Sequence, residues 1–168
     1  YQDSDRQLQD GDVIVMDYGA SMGYLTIDIT RTWPASGRFT DLQERAYRCV
    51  LEAEKAVIAA MRPGVTRQET QAIAEEIFER WGFTDQYPSG AGHFVGMSVH
   101  DVGDYDLPLQ AGMVIAVEPI IEFTEEEFHI RIEDTVLITD DGPLILSAHV
   151  PKELDEVLAM VGTRAEGR

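Results

Sequence analysis

An α+β fold is expected for this chain. Hairpin-like strand patterns lie near both ends, two amphipathic helices separate them, and strands do not alternate with helices as a doubly wound sheet requires. The chain has 168 residues, enough to bury a substantial core within one domain or part of a larger one. Its 44% hydrophobic and 26% charged residues place it among folded globular chains rather than disordered ones. Asp and Glu number 31 against 13 Lys and Arg, a formal net charge of −18. That balance argues against nucleic acid and anionic membrane surfaces as partners, because both need clustered cations. No apolar run approaches the ~20 residues of a spanning helix. The lone Cys49 cannot form a disulfide within the chain, so the cytoplasm is the expected compartment.

The elements follow in order. Asp12 to Asp17 is an apolar run closed by Gly19 and reads as a buried strand. Gly23 offers a turn, and Tyr24 to Trp33, rich in aromatic and β-branched residues, reads as a second strand pairing with the first. Thr40 with Gln43 forms a capping box ahead of a stripe through Leu42, Ala46, Cys49, Val50, Ala53, Val57 and Ala60, so a helix is expected until Pro63-Gly64. Thr66 and Glu69 repeat the signal before Ile73, Ile77 and Phe78, with a stop near Gly82. Neither helix gathers a polar cluster, and Cys49 on the apolar stripe reads as a small hydrophobe. Glycine-interrupted sequence from Tyr87 carries His93 and His100, and three strands are expected at Met113–Val117, His129–Ile132 and Thr135–Thr139. Asp141-Gly142 marks a turn. Pro151 suits a first helical position before Leu154, Val157, Leu158 and Val161, and Gly162 ends that helix.

Carboxylates in strand contexts carry the chemistry. Asp17 follows an apolar strand, Asp28 lies inside LTIDIT, Glu118 ends VIAV, and Glu133 interrupts HIRIEDTVLI. Each alone is explained by an Arg partner or a strand-end hydrogen bond. Together, with only Arg131 nearby, they would repel one another, and a carboxylate among apolar neighbours costs several kcal/mol unless something cationic meets it. Divalent cations bridged by carboxylates are the economical answer. His93 adds a nitrogen donor. One imidazole with excess carboxylate suits Mn first, then Co, Zn or Fe. His100 follows an alternating segment and need not share the metal; it can act as a hydrogen-bond donor on the substrate side. His129 and His149 have no comparable setting and read as structural or surface residues.

The ordered segments VMDYGA, YLTIDITRTWP, GHFVGMSVHDVG, VIAVEPI and RIEDTVLIT resemble the pita-bread metallopeptidases: Xaa-Pro aminopeptidases, prolidases and methionine aminopeptidases. DITRTWP, HDVG and RIEDTVLIT look most like the proline-specific branch. The resemblance implies a curved antiparallel sheet with helices outside, the pita-bread (creatinase/aminopeptidase) fold. It also implies a dinuclear exopeptidase acting on peptides with proline at the second position. Asp17 would hold one metal, Asp28 and Glu133 would bridge both, and His93 with Glu118 would complete the second. Glu118 would also move protons, His100 would contact the scissile carbonyl, and Arg131 would stand behind the bridging glutamate. A homo-oligomer is implied too. Ser89 stands where relatives often have His, and Pro119-Ile120-Ile121 where proline-specific relatives read Pro-Gly and then Tyr; both bear on substrate preference. Methionine aminopeptidase-like activity, or a pita-bread module that binds protein without catalysis, are the alternatives.

By the same resemblance, residues 1–162 are expected to be the C-terminal portion of the catalytic domain, its N-terminal part missing, and residues 163–168 a tail. Tyr1 in place of Met accords with that expectation. The hairpin would then lack neighbours over Val13, Val15, Leu25 and Ile27, and an exposed apolar strand edge tends to pair or aggregate.

Overall fold

The computed structural model describes residues 6–88 and 90–161. Tyr1, Ser89, the helix stop at Gly162 and the tail lie outside those residues. Strand β1 (Val13–Tyr18) pairs antiparallel with β4 (Ile29–Pro34), setting Asp17 opposite Thr30. The expected strand from Tyr24 to Trp33 is not continuous. A small hairpin of β2 (Ser21–Met22) and β3 (Leu25–Thr26) interrupts it, turning at Gly23-Tyr24 with φ of +58° and +68°. Two successive positive φ values make the tight turn whose twist suits a two-residue hairpin. The chain then crosses back on itself at Gly19, where a Cβ would stand 1.8 Å from the Ile27 carbonyl oxygen. This break leaves Asp28 just ahead of β4, diagonal to Asp17 rather than opposite it. Alternation puts Asp17, Asp28 and Thr30 on one face of the pair.

Helices α1 (Asp41–Ala60) and α2 (Arg67–Trp81) start at Thr40 and Thr66, each with both halves of its capping box formed. Gly82, with φ of +75°, ends α2 in the left-handed conformation. The buried stripe Ala46, Cys49, Val50, Ala53 and Val57 packs with Ala74, Ile77 and Phe78 to form the core beneath the sheet. Cys49 is fully buried, and burial pushes its thiol up to about 12, as befits a core residue.

A four-stranded antiparallel sheet follows, ordered β10–β9–β6–β5. Its strands are β5 (Gly92–Phe94), β6 (Val114–Val117), β9 (Asp134–Thr139) and β10 (Gly142–Ile145). A separate hairpin of β7 (Ile120–Phe123) and β8 (Phe128–Arg131) stands between β6 and β9 in the chain. A single bridge between Thr30 and Glu133 ties the β1–β4 pair to β9. Strands β5, β7 and β10 go beyond the expected three; β5 and β10 sit at the sheet's two edges and are too short to show periodicity. Helix α3 (Leu154–Val161) begins at Leu154, so Pro151 is not its first residue. Pro151 instead lies in the irregular segment ahead of the helix, where its carbonyl oxygen and that of Val150 accept hydrogen bonds from Arg31. Among the described residues, no helix is long and apolar enough to cross a membrane. Of the hairpin residues expected to be uncovered, Leu25 is exposed while Val13, Val15 and Ile27 are half-buried.

Gly92 is the tightest point of the sheet. A Cβ there would stand 2.0 Å from the Ala116 carbonyl oxygen and 3.4 Å from the Val117 Cα, both backbone atoms of the paired strand β6. Gly92→Ala is therefore expected to force β5 away from β6 and cost about 1–3 kcal/mol, like other overpacking substitutions. Thermal unfolding checks this: the midpoint should fall by roughly 2–4 °C per kcal/mol lost. An unchanged midpoint would mean the strands can part freely at this point.

Candidate metal centre

Five side chains from separate parts of the chain converge on one face of the sheets. Asp17 comes from β1, Asp28 from the break before β4, His93 from β5, Glu118 from just beyond β6, and Glu133 from the residue bridged to Thr30 immediately before β9. The His93 Nε2 lies 3.5 Å from Asp28 Oδ2, 3.4 Å from Glu118 Oε1 and 3.8 Å from Glu133 Oε1. Three groupings keep one donor atom from each member within 4.8 Å of the others: Asp17–Asp28–Glu133, His93–Glu118–Glu133 and Asp28–His93–His100. Asp28, His93 and Glu133 each belong to two of them.

Hydrogen bonding shows what the cluster lacks. The Nδ1 of His93 is 3.0 Å from the Phe94 carbonyl oxygen, a contact that places the proton on Nδ1 and leaves the Nε2 lone pair facing the carboxylates. Among the described residues, His93 Nε2 and Glu133 Oε1 are buried without any hydrogen-bond partner. Two acceptor atoms orphaned side by side are costly, and a cation between them satisfies both. The residues present therefore fit a divalent metal.

Electrostatics agree with that need. Burial pushes the Glu133 carboxyl up to about 8; the Thr30 hydroxyl, donating at 2.6 Å, opposes the rise, and the charges of Asp28 and Glu118 add to it. Asp28 is raised as well, by burial first and then by the nearby Asp17. Arg131 answers part of this charge. Its Nε donates to Thr30 Oγ1 at 2.9 Å, one Nη meets Asp17, and the other stands 3.7 Å from Glu118. Thr30 is fully buried and links Arg131 to Glu133, a role that sequence reading missed because a threonine in a strand draws no notice.

The structure brings His100 to the cluster too. Its ring stacks on His93 with centroids 3.9 Å apart and planes 8° from parallel, yet it is exposed on the open side of the site. The loop carrying it is pinned by Asp101, whose carboxylate accepts from the backbone N–H of Met97 and Val102. His129 and His149 are exposed and belong to none of the three groupings.

The chain is 35% identical over 186–187 residues to the Xaa-Pro aminopeptidases of Haemophilus influenzae and, under the name Xaa-Pro aminopeptidase 3, of Mus musculus, covering 94% of this chain in each case. It is 40% identical over 143 residues to the Xaa-Pro dipeptidase of Pyrococcus furiosus, covering 83% of this chain. These alignments take in 44%, 36% and 40% of the Haemophilus, Mus and Pyrococcus proteins, so the chain spans less than half of their length. The solved aminopeptidase PepP of Pseudomonas aeruginosa superposes with a TM-score of 0.89 at 32% identity, covering 96% of this chain and 44% of that one. The shared architecture is the pita-bread fold. The sequence matches metallopeptidase family M24 over residues 1–140, and with most of its length inside that match the chain belongs to metallopeptidase family M24.

Proposed function

We propose that this chain forms the C-terminal, metal-bearing portion of an exopeptidase that removes or releases the residue preceding proline. The observation that carries the metal half is the facing pair of unsatisfied buried atoms, His93 Nε2 and Glu133 Oε1. Family membership implies divalent ions, and Asp17, Asp28, His93, Glu118 and Glu133 are the residues that would hold two of them. Asp28 and Glu133 would be shared: Glu133 groups both with Asp17 and Asp28 and with His93 and Glu118, and Asp28, grouped with Asp17, also stands 3.5 Å from His93. Oxygen-rich donors with one imidazole favour Mn. The names of the relatives favour proline at the second position, with methionine aminopeptidase-like cleavage or non-catalytic binding as the alternatives. Residues 163–168 are read as a tail and the cytoplasm as the compartment, in keeping with a single buried cysteine. A homo-oligomer of the whole protein belongs to the same reading.

When bound, the ions would acidify water and polarise the scissile carbonyl. The chain's own residues do the rest. Glu118 is half-buried, with one oxygen towards His93 and the other towards Arg131, and is placed to accept a proton from the attacking water and return it to the leaving nitrogen. His100, on the open side, donates to the carbonyl oxygen as negative charge gathers there. Arg131 holds Asp17 in place and limits repulsion between it and Glu118. The acidic surroundings favour a substrate with a free, cationic amine, which suits cleavage at a chain's N-terminus.

Three measurements test this reading. Given to the whole protein with Mn²⁺, a panel of Xaa-Pro dipeptides, longer Xaa-Pro peptides and Met-Ala peptides should show turnover confined to the Xaa-Pro members. Preference for Met-Ala would favour the methionine alternative, and no turnover the binding module. His100→Ala should lower kcat by roughly 10²–10³ while two ions remain bound; loss of an ion would instead make His100 a ligand. The third concerns pH. A folded-state value near 8 for Glu133, against an ordinary 4.5, means the metal-free fold holds a proton that the unfolded chain releases. That contribution to stability is present below about 4.5 and lost as pH rises through about 8. Divalent ions must displace the proton, so their affinity should rise over the same window. Melting of chelator-treated protein and Mn²⁺ titration, each across this range, check the two slopes, and Glu133→Gln should flatten both.

A further inference from the structure

Behind the metal face lies a second buried polar cluster that the catalytic reading leaves unused. Arg31 follows Thr30 and Asp134 follows Glu133, so strand alternation turns both away from the site onto the reverse of the same strands. All five guanidinium N–H donors of Arg31 are engaged. Its Nη1 donates to the Thr30 and Glu133 carbonyl oxygens at 2.9 and 2.6 Å. Its Nη2 donates to Asp134 Oδ1 at 2.7 Å and to the Val150 carbonyl oxygen at 2.9 Å, and its Nε to the Pro151 carbonyl oxygen at 3.0 Å. Asp134 is held in turn by Ser147 at 2.6 Å and by Lys152, whose ammonium also meets both oxygens of Glu54 on α1. Arg31 is 4% exposed and Asp134 and Glu54 are wholly buried.

Two of the five acceptors are the carbonyl groups of Thr30 and Glu133, whose side chains bond each other on the opposite face. We propose that Arg31 is a positioning residue for the metal centre. It clamps the backbone on which Glu133 and its hydrogen-bond partner Thr30 are mounted, and so fixes Glu133 Oε1 towards His93 for a divalent cation. A flexible ammonium could not reproduce this, because the rigid planar fork is what spans the two carbonyl groups and the carboxylate together. The inference rests on the metal reading above, and concerns how the ligand is held rather than whether it binds.

The experiment compares Mn²⁺ titration and thermal unfolding in wild type, Arg31→Lys and Ile77→Ala. Ile77 is a core residue of α2, a helix that contributes no hydrogen bond to the network, and its truncation provides a destabilised control. Arg31→Lys is expected to weaken Mn²⁺ binding by about 10–100-fold, the range for loss of an outer partner that orients a metal ligand. Ile77→Ala is expected to lower the melting point but leave Mn²⁺ affinity near that of wild type. If Arg31→Lys does not fold, Asp134→Asn keeps an acceptor for Arg31 while removing its charge, and should still weaken Mn²⁺ binding towards the lower end of that range. Wild-type affinity in the folded Arg31→Lys or Asp134→Asn protein overturns the proposal, as does equal weakening in Ile77→Ala. A wild-type protein that takes up no Mn²⁺ overturns this proposal and the metal reading together.

Discussion

The structure turns on the burial of Glu133 next to Asp28. Two carboxylates enclosed by strands and facing a histidine nitrogen cannot all keep their charge without a cation, because desolvation and mutual repulsion act in the same direction. Glu133 accepts one hydrogen bond from Thr30, and among the described residues its other oxygen has no partner. That omission is selective. Asp134, the next residue and equally buried, receives Arg31, Lys152 and Ser147, and although burial would raise it, these contacts with the Glu54 carboxyl hold it down at about 2. Neighbouring acids on opposite faces of one strand are therefore treated in opposite ways: one is saturated by the protein, the other is left open to an ion.

The sheet arrangement exists to bring this about. Strand β9 is paired with β6 on one side and β10 on the other, and its first residues reach across to β4 through the Thr30–Glu133 bridge. Asp28 is tied into the same junction, since its N–H donates to Thr135 Oγ1 and its carbonyl oxygen accepts from that hydroxyl. Side chains separated widely in the chain are thus fixed by backbone contacts rather than by the flexibility of their own rotamers. Helices α1 and α2 back the sheet and carry none of the candidate ligands; their stripes are mostly apolar, with Glu54 of α1 the buried acid that reaches Lys152 on the reverse face.

That division explains what was legible in the sequence. The helices and their caps follow from local rules, and the four carboxylates stood out because acids are out of place among strand-forming residues. The candidate set could be assembled because Asp17, Asp28, Glu118 and Glu133 sit at the end or interruption of apolar runs, with His93 added as a nitrogen donor. The strand break at Ile27-Asp28 could not be read, since it depends on Tyr24 accepting a positive φ beside Gly23, which tyrosine rarely does. Thr30 and Arg31 also escaped notice. Their significance lies in partners more than a hundred residues away, Glu133 and Asp134, and a threonine or arginine in a β-strand is unremarkable until the register is known. Pro151 was misread for a related reason: its carbonyl oxygen and that of Val150 are taken up by Arg31, more than a hundred residues away, and the helix starts only at Leu154.

The two arginines show how the site can be both rigid and receptive. Arg31 has no donor left and no route to solvent, so its position is set by the fold and does not answer to charge in the cluster. Arg131 stands on the site's own side, its side chain 21% exposed, and reaches Glu118 only at 3.7 Å. It supplies positive charge to Asp17 and Glu118 while keeping access to water, so moving it costs little compared with moving Arg31. Cations entering a cluster of four acids reduce the attraction that holds Arg131 there, whereas the backbone beneath Glu133 stays clamped from behind. A rigid guanidinium on the reverse face and a solvent-linked one on the site face therefore divide two tasks: the first fixes ligand geometry, and the second limits repulsion until the ions arrive.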